Sequence, residues 1–160
     1  MKSQITIMSR ETAEQLIASG FPTNTAVISF YDPLDGPHSL HMYGYKPIDY
    51  SAVCRRVFMI GIHDIDIEML GEYGLTFESY FSEADDLACF IKKAVADGLN
   101  IICQCEYGQS RSAACAAAIQ EYFEKNGIEI FADYRYYPNQ MIFNKLLQAL
   151  KRENMQPHNL

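Results

Sequence analysis

The chain has no apolar run long enough to cross a membrane, no internal repeat and no low-complexity linker. Neither a membrane-spanning helix nor a repeat array is therefore expected. Cations are scarce: thirteen Lys and Arg face twenty Asp and Glu, for a net charge of -7 and a pI near 5.0. The basic residues gather only as the pairs Arg55-Arg56, Lys92-Lys93 and Lys151-Arg152, too little for the basic face that a nucleic acid requires. The same acidity disfavours an anionic membrane surface. The first residues, MKSQITIMSRETAEQL, turn polar too early for a secretory signal, so a cytoplasmic protein is expected. Its five cysteines, Cys54, Cys89, Cys103, Cys105 and Cys115, are odd in number and lack the second pair of a zinc site. Neither a disulfide framework nor a metal or other cofactor is expected. What remains is a chain of 160 residues, 49% hydrophobic, expected to form a single domain over residues 1–160.

Periodicity divides the chain into alternating strands and helices. ITIMS reads as a strand, and Ser9 caps a helix over RETAEQLIAS that closes at Gly20. TAVISFY is a second strand, and the Asp-Pro-x-Asp-Gly-Pro segment after it is a turn. Residues 39–50 show no decisive period. VCRRVFMIGI is a third strand and delivers HDID at its end. Apolar residues at Phe77, Tyr80, Phe81, Ala84, Leu87, Ala88, Ile91 and Val95 predict a helix over 77–96. NIICQC is a buried strand, and SAACAAAIQEYFEKNG is a helix whose small side chains suit close packing on a sheet. Pro138-Asn139 opens a last amphipathic helix, QMIFNKLLQALKR, with cations at its C-terminal end. This alternation predicts an α/β fold with a central, mainly parallel sheet flanked by helices. Ligands of such sheets lie at the C-terminal strand ends, where both HDID and CEYGQSRS fall.

If residues 105–111 curl into a helix at Ser110-Arg111, their successive N–H groups form a nest for a tetrahedral anion. The helix N-terminus adds positive potential, Gly108 permits the turn, and Arg111 offers a planar fork to two phosphate oxygens. A thiol on the floor of this field is held as the thiolate. Cys105 then faces a bound phosphate monoester in line with its leaving oxygen, which is the geometry for a phosphocysteine. Ser112 can hydrogen-bond the sulfur when it becomes a leaving group. Asp64 and Asp66 in HDID supply carboxyl groups for acid-base work.

CEYGQSRS resembles the Cys-x5-Arg-Ser/Thr signature of protein tyrosine and dual-specificity phosphatases. YFSEADDLACFIKKAVADGLNIICQC is similar to the helix and strand that lead into that signature. YPNQMIF resembles the Pro-Asn-x-x-Phe start of the last helix in compact dual-specificity members. The resemblance, to a compact, bacterial-type single-domain member, runs from Phe77 to Leu150, extends to residues 53–66 and fades over the first fifty. It implies a dual-specificity-phosphatase-like fold and a phosphocysteine mechanism on phosphotyrosine-containing protein or a small phosphate monoester. Cys105 would be the nucleophile, Arg111 the phosphate ligand and Ser112 an aid to enzyme release. Glu106, Tyr107, Gly108, Gln109, Ser110 and Arg111 would form the phosphate loop. IGIHDID is similar to the strand and loop that carry the general acid, which implies Asp64, with Asp66 second. Asn139 resembles an asparagine that braces the loop, and a capping role fits it equally.

Two letters depart from the pattern. Gln104 stands where the family has histidine, and Tyr107 where alanine is common. Glutamine carries no charge to help hold the thiolate, so a non-catalytic phospho-binding module is the alternative reading. The Asp-x-Asp of HDID also resembles the opening of magnesium-dependent haloacid-dehalogenase-type phosphatases, without their downstream lysine element. Cys103, two residues before Cys105, reads as buried filler or as a redox partner, and the tyrosines at 134, 136 and 137 as packing or as a cleft rim.

Overall fold

In the computed structural model, which describes residues 1–35 and 44–152, four short strands rich in Ile and Val lie side by side. They are β1 (Ile5–Met8), β2 (Thr25–Tyr31), β3 (Val57–Gly61) and β4 (Asn100–Gln104), in the order β1-β4-β2-β3 with every pair parallel. Helices α1 (Arg10–Ser19), α2 (Ala84–Ala96), α3 (Arg111–Glu124), α4 (Ile128–Ala132) and α5 (Gln140–Lys151) complete the fold. This is the parallel, helix-flanked sheet expected from the alternation of strand and helix patterns. Among the described residues no helix is long and apolar enough to cross a membrane.

Parallel strands are buried on both faces, which is why β2 is buried from Thr25 to Phe30. On one face, Met8, Val27, Ile48, Tyr50 and Ile102 pack against Ala13 of α1. On the other, Ile28, Phe30, Ile101 and Cys103 meet the larger core made with α2, α3 and α5. The Ser9 side chain accepts from Thr12 N at 3.2 Å and caps α1 as expected.

Helix α3 is buried throughout from Arg111 to Ile119, and its run of Cys and Ala lets it lie between the sheet and α5. Close approach continues at Gly127, where an added Cβ would sit 2.5 Å from Ala117 O and 2.8 Å from Glu121 Cβ.

Local features differ from the sequence reading, beginning with the strand expected over VCRRVFMIGI, which starts only at Val57. The helix expected from Phe77 begins only at Ala84, because Phe81 adopts a left-handed φ of 59° and residues 77–83 form turns that bury Tyr80 and Phe81. A 3-10 helix, Ile67–Tyr73, follows HDID and is capped by the Asp66 side chain on Glu68 N. The short α4 has too few residues to show a period. Of the predicted turn and of the undecided segment 39–50, residues 36–43 lie outside the described residues. Residues 44–50 bury Ile48 and Tyr50 without regular structure.

Gly127→Ala should therefore cost about 1–3 kcal/mol through overpacking against a backbone carbonyl, read as a lowered thermal midpoint. Burial raises the pKa of the phenols of Tyr50 and Tyr80, and for Tyr80 the Asp64 charge adds to the rise. A raised phenol means that the folded state keeps its proton while an unfolded tyrosine ionises near pH ~10. The associated stability is complete below that pH and is lost above it. Thermal melts from pH 8 to pH 11 should show a falling midpoint in the alkaline limb, with a shallower fall in Tyr80→Phe.

Candidate functional site

β4 is an interior strand, and its parallel register sets Gln104 beside Met8 of β1 and Ser29 of β2. Side chains alternate along it, so Ile102 and Gln104 face α1 while Cys103 and Cys105 face α3. Beyond Gln104 the chain turns through residues 105–110 and enters α3 at Arg111.

Four carbonyls of this loop are hydrogen-bonded by donors outside it, from four different parts of the molecule. Cys105 O accepts from Gln104 Nε2 at 3.0 Å and Glu106 O from Arg10 N at 3.1 Å. Gln109 O accepts from Tyr137 N at 2.8 Å and Ser110 O from Asn139 N at 3.2 Å. No described peptide bond is cis, and in a planar trans peptide the N–H points opposite to the preceding C=O. The N–H groups of Glu106, Tyr107, Ser110 and Arg111 therefore point away from those outside donors. Gly108 has φ +67°, and a Cβ there would lie 2.7 Å from Ser9 N and 2.8 Å from Met8 C. The loop is pressed against the end of β1, and only glycine fits both the angle and the gap.

Cys105 lies at the start of this ring, 2% exposed, with its Sγ 3.0 Å from Ser112 Oγ. Arg111 is 4% exposed, and its guanidinium is anchored at one nitrogen: Nη1 donates to Asp32 Oδ1 at 2.9 Å and to Ile62 O at 2.8 Å. Its buried Nε has no acceptor among the described residues. An arginine fixed by Nη1 keeps its Nε–Nη2 edge for a planar or tetrahedral anion.

Asp64 is brought to the same place from the end of β3. Its Oδ1 accepts from Ser110 Oγ at 2.7 Å and from Asn139 Nδ2 at 3.0 Å. Asn139 has oxygen and nitrogen on different tasks: its Oδ1 caps α5 on Ile142 N while Nδ2 also reaches Ile65 O. Tyr80 supports the same loop by donating to His63 O at 2.6 Å. Asp66, in contrast, is spent on capping its own 3-10 helix. A cavity of about 550 Å3 opens beside these groups, lined among others by Asp64, Asp66, Phe77, Ser110, Asn139 and Met141.

Of the remaining loop residues, Glu106 is held by Arg10 Nε at 2.9 Å, and Tyr107 is 79% exposed. Tyr134 and Tyr137 are exposed as well, whereas Tyr136 packs against the core. His63 lies against the Tyr73 ring, with centroids 4.6 Å apart. Cys103 lies beside Cys115 of α3: burial, then the hydrogen bond between the two, pushes the Cys115 thiol up.

Gln104 occupies a closed polar network. Its Oε1 accepts from Ser29 Oγ at 2.6 Å and Tyr50 OH at 2.7 Å, and its Nε2 donates to Cys105 O. Sequence reasoning missed Ser29, Tyr50, Asp32, Arg10 and Tyr80. Asp32 follows the end of β2, next to β4, so the strand-end rule that singled out HDID could have found it. Tyr50 sits in the segment without a period and gave no such signal.

No protein-family model matches the sequence, and no curated protein matches it. Solved structures do resemble it in fold. Human DUSP28 is 15% identical, with 91% of this chain and 90% of that one covered and a TM-score of 0.52. Human tyrosine phosphatase-like serine/threonine/tyrosine-interacting protein is 16% identical over 88% and 83%, with a TM-score of 0.53. The PTP-2 phosphatase of Cydia pomonella is 11% identical over 91% and 84%, also at 0.53. At these identities the likeness shows that the chain has the α/β fold of dual-specificity-type phosphatases.

Proposed function

We propose that the protein hydrolyses phosphate monoesters through a phosphocysteine on Cys105, with phosphotyrosine-containing protein as the leading substrate class. The observation that carries this reading is the loop whose carbonyls are tied outward, leaving amides turned in around a thiol. Arg111 completes the cradle with its anchored fork. Membership of the cysteine-dependent phosphatase family, suggested by CEYGQSRS and its flanks, agrees with the fold likeness.

In the first step the Cys105 thiolate attacks phosphorus and the P–O ester bond breaks. The Asp64 carboxylic acid gives its proton to the departing oxygen. Asp64 is suited to this because Ser110 and Asn139 engage Oδ1 and leave Oδ2 to carry the proton. The three non-bridging phosphoryl oxygens gain charge as phosphorus is transferred. The inward amides and the Nε–Nη2 edge of Arg111 stabilise that charge with little reorganisation. In the second step the Asp64 carboxylate takes a proton from water, the resulting hydroxide displaces sulfur, and inorganic phosphate leaves. Ser112 Oγ, 3.0 Å away, donates to the returning thiolate. The exposed tyrosines 107 and 137 near the loop offer flat surfaces to a peptide or aryl ester.

Turnover of an aryl phosphate measures the proposal. Cys105→Ser should abolish it, and Asp64→Asn should lower kcat by about 10²–10⁴-fold. Asp66→Ala should leave the rate near wild type. If the wild type binds a phosphopeptide but turns over no aryl phosphate, the phosphatase reading fails and the phospho-binding alternative replaces it.

A further inference from the structure

The residue just before the nucleophile faces away from it. Gln104 points to the α1 side of the sheet, yet its Nε2 turns back to Cys105 O at 3.0 Å. An amide side chain can flip end for end, and here the flip is forbidden. Cys105 O can only accept and so requires the nitrogen on its side, which leaves the amide oxygen to accept from Ser29 Oγ at 2.6 Å and Tyr50 OH at 2.7 Å. Gln104 is 2% exposed, Ser29 1% and Tyr50 2%. Reversing the amide would set its oxygen against Cys105 O, so that two buried acceptors would face each other without a proton between them.

We propose that Gln104, locked by Ser29 and Tyr50, is the positioning residue of the nucleophile. By holding Cys105 O outward it fixes the Cys105–Glu106 peptide, whose N–H then points back at the Cys105 sulfur and at an oxyanion above it. The inference rests on the cysteine-loop reading above and adds a cause for the loop's shape. Three elements act on one peptide plane: β2 through Ser29, the segment ending at Tyr50, and β4 through Gln104 itself. The orientation is imposed by neutral hydrogen bonds alone, so no charged side chain is needed before the cysteine. Removing Tyr50 OH frees one side of the amide oxygen. Removing the amide releases the peptide, which can turn its carbonyl toward the sulfur, and the thiolate loses a hydrogen bond.

The rate at which iodoacetamide alkylates Cys105 at pH 7, followed by peptide mass spectrometry in the full chain, reads this directly. Cys89, on α2 and away from the loop, is the internal reference. Tyr50→Phe should slow Cys105 about threefold and Gln104→Met about tenfold, as expected for the loss of one or more buried hydrogen bonds. Gln104→His, which restores an N–H donor, should stay near the wild-type rate, and Cys89 should not change in any of them. Thermal melts establish that each variant is folded, and if Gln104→Met fails to fold, Tyr50→Phe decides. Folded variants that alkylate Cys105 at the wild-type rate overturn the proposal, as do variants in which Cys105 and Cys89 change together. A wild type without aryl-phosphate turnover, but with the expected alkylation pattern, would sink the phosphatase reading and leave this inference standing.

Discussion

A planar peptide cannot point its carbonyl and the following N–H the same way, and the candidate site depends on that constraint. To turn amides inward over residues 105–111, the molecule must find acceptable partners for the carbonyls outside. It draws these donors from four places: the side chain of Gln104, the first residue of α1, the segment before α5 and the cap of α5. The strands, the interior place of β4 and the packing of α1 and α5 against the sheet can all be understood as what brings those donors to one end of the sheet. The loop geometry is thus a consequence of hydrogen-bond satisfaction around the loop more than of any single side chain within it.

The sulfur and the guanidinium are treated differently by this scaffold. Among the described residues, Ser112 is the side-chain hydrogen-bond partner of the Cys105 sulfur. Arg111 is gripped at Nη1 by a carboxylate and a carbonyl from the ends of β2 and β3. A charged side chain 4% exposed needs such a partner, because an isolated buried cation is costly. Asp32 supplies it without covering the opposite edge of the fork. Charge balance and ligand access are in this way divided between the two sides of one planar group.

The sequence carried the parts of this architecture that are local. TAVISFY and RETAEQLIAS became β2 and α1 with the predicted limits, since β-branched residues and a Ser cap act within a few residues of themselves. The cysteine-to-serine stretch announced its turn through Gly108 and its helix through the alanines after Arg111. Other features depended on neighbours distant in sequence. Phe77, Tyr80 and Phe81 have helical spacing, but the left-handed Phe81 lets two aromatic rings fill the core, which outweighs the local preference. Gln104 looked like a loss of charge, because Ser29 and Tyr50, 75 and 54 residues away, cannot be read from its flanks. Asn139 offered two uses in the sequence, and the fold places its oxygen and nitrogen on different tasks.

That asparagine also bears on the order of assembly. It joins a carboxylate 75 residues earlier, the loop before α3 and the first turn of α5, the last of the described helices. Contacts of such long separation carry a large loop-closure cost and belong to the slow end of chain folding. Asp64 meets the loop through Ser110 Oγ and the last described helix through Asn139, so its full set of contacts requires that helix to be in place.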